Sequence, residues 1–97
     1  MWVVVCYDVN TETKAGRRRL RRVAQVCKDF GQRVQYSIFE CQVNEMQYED
    51  LRRKLLKEIN QHMDSLRIYR ITEPREHYVE SFGTTQMIFF DEDPLIV

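Results

Sequence analysis

From Trp2 to Val9 the chain is an almost unbroken run of β-branched and aromatic residues, giving way to the polar group Asp8, Asn10, Thr11, Glu12 and Thr13. Such a run predicts a strand. Its two alternating sets, Trp2, Val4, Cys6 and Val3, Val5, Tyr7, are both apolar, so both faces of the sheet it joins must be covered. Between Lys14 and Phe30 the apolar positions Leu20, Val23, Ala24, Cys27 and Phe30 recur on one helical face, and Gly31 supplies a stop. Gln32 to Val43 interleaves Val, Tyr, Ile and Phe with polar residues and predicts one bent strand, or two short ones meeting near Tyr36. Asn44 with Gln47 has the form of a capping box, and Tyr48, Leu51, Leu55 and Ile59 trace a second amphipathic helix to about His62. Ser65 to Ile71 predicts a further strand. Beyond Glu73 come a proline break, a strand-like stretch at Gln86 to Phe90, the acidic run Asp91-Glu92-Asp93 and an apolar end, Pro94 to Val97.

This order, with no internal repeat or linker, predicts one ferredoxin-like domain over residues 1–97: an α/β (α+β) sandwich of pattern βαββαβ. Residues 73–97 are expected to form a C-terminal extension that adds a strand and contributes to a dimer. A split βαβ sheet carries both helices on one face and leaves the other bare. The simplest cover for an apolar bare face is a second copy of the same sheet, which predicts a C2 homodimer. A chain of 97 residues leaves much of its surface wet and gains from such a partner.

Composition narrows the function. No uncharged apolar stretch reaches the roughly 18 residues of a membrane span, and the N-terminus lacks the basic region and cleavage site of a signal peptide. A cytoplasmic protein with no membrane partner is expected. Cys6, Cys27 and Cys41 lie in apolar segments without the close pairing of zinc or redox sites, and read as buried, reduced thiols. The formal net charge is zero, yet Met1–Val43 carries eight Lys+Arg against four Asp+Glu, and Asn44–Val97 seven against eleven. A polyanion responds to charge within a Debye length of about 8 Å, so the local excess matters more than the total.

That excess is concentrated on the first helix. At about 100° per residue, Lys14, Arg17, Arg18, Arg21, Arg22 and Lys28 fall opposite Leu20, Val23 and Cys27, with Arg19 on the flank. A solvated helix face usually mixes signs, and here Asp29 is the one acid near in sequence. The stripe therefore predicts contact with phosphates, to which guanidinium forks are suited. No base-reading motif accompanies it, so binding should be largely indifferent to sequence.

Asp8 closes the first strand on the side of Trp2, Val4 and Cys6, the face assigned to the partner. One reading is a loop cap through Asn10 or Thr11. The other is a ligand for Mg²⁺, or Mn²⁺: one Asp is too few, but two across a symmetry axis would serve, with waters and substrate phosphate oxygens completing the shell. Tyr7, Arg33, Ser37 and Phe39 are the remaining candidates near that face, Phe39 with Tyr36 and Ile38 as packing residues and Arg33 as a phosphate or carboxylate partner. His62 and His77 have no acid or cysteine at a recognisable spacing and default to the surface.

The string Tyr7-Asp8-Val9 closing an apolar strand, then AGRRRLRRVAQVCKDFGQRVQYSIFEC and DSLRIYRI, resembles the small CRISPR-associated adaptation family Cas-two from Met1 to about Ile71. VESFG and PLIV near the C-terminus are similar to the branch attached to type I-C systems. The departures are Tyr36, where relatives often carry Asn, Ser81, where they carry His, and a stretch from Thr72 to His77 without the usual Gly or Asn. The resemblance implies a ferredoxin-like homodimer that bridges copies of the integrase Cas-one and holds duplex DNA during spacer acquisition. It also implies a metal-dependent endonuclease on RNA or double-stranded DNA, an activity absent in some members. Asp8 would then be the metal-binding and catalytic acid, with Tyr7, Arg17, Arg19, Arg33, Ser37 and Phe39 as supporting or nucleic-acid-contacting residues. Competing readings are a scaffold without chemistry, with Asp8 as a cap, and a toxin-like ribonuclease on the same fold. An RNA-recognition domain is disfavoured, because no strand has the Gly-flanked aromatic signature that stacks bases.

Overall fold

A computed structural model describes residues 1–83 of the chain. Strand β1 (Trp2–Asp8) leads into helix α1 (Lys14–Phe30), the antiparallel strands β2 (Gln32–Gln35) and β3 (Ile38–Gln42), helix α2 (Glu45–Glu58) and strand β4 (Ser65–Ile71). The sheet order is β2-β3-β1-β4, with antiparallel pairing throughout, which is the ferredoxin-like arrangement. The expected two short strands meet at a turn over residues 36–37. The additional C-terminal strand expected at Gln86 to Phe90 lies outside the described residues.

Alternation along β1 fixes which side faces the helices. Val3, Val5 and Tyr7 are buried, whereas Trp2, Val4 and Cys6 are half-buried and Asp8 is exposed. The core is made by Val3, Val5, Phe39 and Cys41 from the sheet, Val23 and Cys27 from α1, and Leu51 and Leu55 from α2, all fully buried. Their side chains are those the periodicity selected, because the helix period of 3.6 and the strand period of 2 bring the apolar sets to one interface.

Helix ends follow local chemistry. The Thr13 hydroxyl accepts from the Gly16 N–H at 3.0 Å and starts α1. At α2 the capping box is complete: Asn44 Oδ1 accepts from Gln47 N–H at 2.8 Å, and Gln47 Oε1 accepts from Asn44 N–H at 2.9 Å. The second helix ends at Glu58, earlier than the expected His62. Asn60 ends it, since its side chain accepts from the His62 N–H and its carbonyl accepts from the Met63 and Asp64 N–H groups, closing a separate turn.

Gly31 stops α1 for a reason of space. A Cβ there would lie 2.2 Å from the Glu40 carbonyl oxygen and 2.7 Å from Cys41 Cα, backbone atoms that cannot step aside. Its φ of −165° is ordinary extended backbone, so close approach to β3 is what requires glycine. Gly31→Ala is expected to lower stability by about 1–3 kcal/mol, the range for overpacking. A urea midpoint equal to that of the parent chain would refute this.

The helix-free face is less bare than its pattern implies. After β4 the chain returns across it through a single 3-10 turn, Arg75–His77. Arg75 Nε lies 2.8 Å from Glu40 Oε1, and the Arg75 guanidinium carbon lies 5.7 Å from the centre of the Trp2 ring. Val79 and Phe82 then line a hollow with Val34 and Ile38. Toward β4, Tyr69 remains exposed and Ile71 half-buried.

Candidate acidic site and basic helix

Asp8 ends the central strand β1 and pairs with Ser65 of β4. Its exposed carboxylate opens on a polar groove lined by Asn10, Thr11, Glu12, His62 and Asp64. The loop that follows is not capped by Asp8: the Asn10 N–H donates to Asp64 at 3.0 Å, and Asn10 in turn accepts from the Glu12 N–H at 2.9 Å.

Asp64 is the residue that sequence reasoning missed. Its side chain is 0% exposed and accepts from the Asn60 N–H at 2.8 Å, from the Asn10 N–H, and from Arg19 through Nε at 2.8 Å and Nη2 at 3.2 Å. One carboxylate thus joins three stretches: the loop after β1, the turn after α2, and the first half of α1. Burial alone would raise the Asp64 carboxyl, but the Arg19 hydrogen bond and the Asn60 and Asn10 backbone donors outweigh it and hold it below the usual carboxylate range. The polar cluster Asn60-Gln61-His62-Met63-Asp64 is a signal for a side-chain-capped turn. Nothing in the sequence names Arg19 as its partner.

Lys14, Arg17, Arg18, Arg21 and Arg22 are all exposed along α1, as the helical spacing implies. Arg17 Nη1 donates to the Thr11 carbonyl at 3.2 Å, which lays that side chain against the Asp8 loop. Arg22 lies 3.8 Å from Glu58, an acid that α2 brings in from outside the local sequence. Lys14, Arg18 and Arg21 have no ion-pair partner among the described residues. Arg19 turns away from the stripe to Asp64. Gly16 allows the first turn of α1 to lie directly on this loop, since a Cβ there would fall 1.9 Å from the Asn10 carbonyl oxygen.

Three of the residues expected near the helix-free face lie on the other side. Tyr7 and Phe39 are stacked in the core with ring centres 6.2 Å apart, and the buried Arg33 guanidinium carbon sits 5.0 Å from the Phe39 centre. The physical reason is the pleat: Tyr7 alternates with Asp8, and Arg33 pairs with Phe39 and shares its face. Burial pushes the Tyr7 hydroxyl up, opposed by the neighbouring Arg33 guanidinium. Ser37 is half-buried in the turn, where its carbonyl accepts from the Tyr7 N–H at 3.1 Å.

Among the described residues, no three His, Cys, Asp or Glu side chains stand together as a metal cage. Within one protomer Asp8 therefore offers a single carboxylate, a donor set that fits Mg²⁺ only if a second protomer and a substrate supply the rest. The thiols offer nothing softer: burial pushes Cys41 up to about 12 and Cys27 higher still, and both are free. His62 and His77 are exposed. No helix among the described residues is long and apolar enough to cross a membrane.

Residues 1–78 match the family model described as CRISPR associated protein Cas2. The chain belongs to this Cas2 family. A CRISPR-associated endoribonuclease Cas2 of Moorella thermoacetica is 56% identical over 97 residues, covering 100% of both chains. A CRISPR-associated endonuclease Cas2 of Halalkalibacterium halodurans is 45% identical over 96 residues, covering 99% of each. Among solved structures, the crystal structure of Streptococcus pyogenes Cas2 at pH 6.5 superposes with a TM-score of 0.76 at 48% identity, over 86% of this chain and 100% of that one. The family and the ferredoxin-like fold thus agree with the resemblance carried by Tyr7-Asp8-Val9 and the Arg-rich helix.

Proposed function

We propose that this Cas2-family chain acts as a homodimer that holds duplex DNA for spacer integration beside the integrase Cas-one, and that it also cleaves phosphodiester bonds. The observation that carries this reading is the juxtaposition at one end of the sheet. The exposed Asp8 and the exposed cationic start of α1 flank a single loop, which Arg17 and Asp64 tie down.

The exposed stripe of Lys14, Arg17, Arg18, Arg21 and Arg22 supports binding to a phosphate backbone without regard to sequence. Arg19 and Arg33 are left out of this contact set, because Asp64 holds one and the core encloses the other. The partly apolar helix-free face supports pairing with a second copy, which would bring two Asp8 residues toward one axis. A divalent ion such as Mg²⁺ or Mn²⁺ shared by these carboxylates would supply Lewis-acid polarisation of the scissile phosphate. The chain's own part is to present Asp8 on a rigid strand end, to bind and orient the backbone, and to place arginines where negative charge develops. Relatives named endoribonuclease and endonuclease support the hydrolytic half. Val79-Glu80-Ser81-Phe82-Gly83 supports a type I-C-like branch.

Asp8→Ala tests the chemistry apart from the binding. Cleavage of labelled duplex DNA and single-stranded RNA with added Mg²⁺ or Mn²⁺ is expected to disappear, while duplex affinity stays within about twofold because Asp8 makes no cationic contact. Cleavage retained by the purified variant would remove the nuclease and leave the scaffold.

A further inference from the structure

The end of the sheet that carries Asp8 also carries an exposed aromatic ring. The β1–β3 register pairs Cys6 with Ile38, and the Tyr7 N–H donates to the Ser37 carbonyl at 3.1 Å, so the ladder runs on past Ile38. That bond places the β2–β3 turn, in which Tyr36 precedes Ser37, beside the end of β1 that carries Asp8, while Ser65 pairs with Asp8 from β4.

Tyr36 lies in the β2–β3 turn and is 75% exposed. Turns favour Gly, Asn, Asp or Ser, and a large ring at the tip does nothing for turn geometry. The other exposed aromatics are placed differently. The Tyr69 hydroxyl accepts from Arg67 at 3.2 Å on the sheet, and Phe82 belongs to the segment that crosses the helix-free face. Tyr36 is thus a ring held in water on a fixed base, since the Ser37 to Tyr7 bond fastens the turn to β1 one residue before the acid. A Tyr ring has few rotamers to lose on binding, and its faces suit an aromatic partner.

We propose that Tyr36 is a stacking platform for an unpaired nucleobase, holding the strand that carries this base so that its backbone passes Asp8. The inference rests on the nucleic-acid-binding reading above, and not on cleavage. A duplex hides its base faces in its own stack, so the platform takes single strands or unpaired ends, a distinction that the basic stripe cannot make. Every base has a π-face, so the selection is for being unpaired rather than for a particular letter.

The test uses single-stranded oligonucleotides bearing 2-aminopurine, as RNA and as DNA, and a blunt duplex of equal length, with EDTA present so that nothing is cut. The parent chain is expected to quench the probe. Tyr36→Ala is expected to lose the quench and to bind single strands about tenfold more weakly, with duplex affinity within about twofold. Tyr36→Phe is expected to retain both, because the ring and not the hydroxyl stacks. Undiminished single-strand affinity in Tyr36→Ala, an equal loss on duplex, or a loss in Tyr36→Phe overturns the proposal. So does a shift of Tyr36→Ala to a smaller species in sedimentation, which assigns the ring to a contact between copies. Duplex binding without single-strand binding by the parent chain removes the platform alone. Failure to bind either removes the nucleic-acid reading, and the platform with it.

Discussion

Replacing Asp64 with alanine is expected to lower the stability of the fold by about 2–4 kcal/mol, the range for stripping the partner from buried charge-assisted hydrogen bonds. For a domain of this size that corresponds to a fall in Tm of roughly 10–20 °C. The effect is large because four bonds are lost together: two backbone N–H groups and both arms of the Arg19 fork lose their acceptor. Asn10 and Arg19 lie 54 and 45 positions from Asp64 in sequence, so these bonds tie the two ends of the fold together. The sign of the pH dependence follows from the lowered carboxyl. The folded form holds Asp64 ionised more strongly than the unfolded chain does, so its contribution is complete above the ordinary carboxylate value. It is lost as pH falls through the depressed one. Asp64→Asn should therefore flatten the acid side of the stability profile as well as lowering its plateau. Urea unfolding at neutral pH and near pH 3, at one protomer concentration, checks both; a variant as stable as the parent at neutral pH would show that the hub is dispensable.

Reversing Arg17, Arg18, Arg21 and Arg22 to glutamate is expected to weaken duplex DNA binding by more than about 100-fold, since each lost phosphate contact removes a counterion-release contribution. The salt dependence should flatten as well, by about 0.9 in the log–log slope per phosphate released. Exposure of all four side chains implies little cost to the fold, apart from the weak Arg22 to Glu58 pair and the exposed Arg17 bond to the Thr11 carbonyl. The matched control reverses Arg52 and Arg53 on the outer face of α2, where both are exposed and Arg53 is paired with Asp50. Titrations at several salt concentrations distinguish the two surfaces. Equal losses per reversed charge from the two sets would mean that the protein attracts DNA by diffuse charge and not by the α1 stripe.

Much of the architecture was legible because the apolar positions obey two periods. Val3, Val5 and Tyr7 on β1 and Val23, Ala24 and Cys27 on α1 are buried as their spacing requires, and the Asn44–Gln47 box stands where its four residues imply. The basic stripe was legible for the same reason, since one helix turns at a known angle. What stayed hidden depends on contacts between distant segments. The hydrogen bonds from Arg19 to Asp64 span 45 positions, and that from Arg75 to Glu40 spans 35. The misplaced side of Arg33 has a different origin. Charged residues are seldom buried, so an Arg in a strand reads as solvent-facing, whereas here the flat guanidinium lies over Phe39 and close to the Tyr7 hydroxyl.

The strap formed by Arg75 has a bearing on assembly. A second molecule approaching the sheet near Trp2 and Glu40 meets groups that already hold a ligand from their own chain. Docking there is an exchange: one set of polar and ring contacts must be surrendered or shared as another is made, so the net gain falls well below what the touching area suggests. Encounter is slowed wherever the strap has to lift first. In the proposed homodimer the strap would thus keep part of the pairing face shielded until the second copy binds.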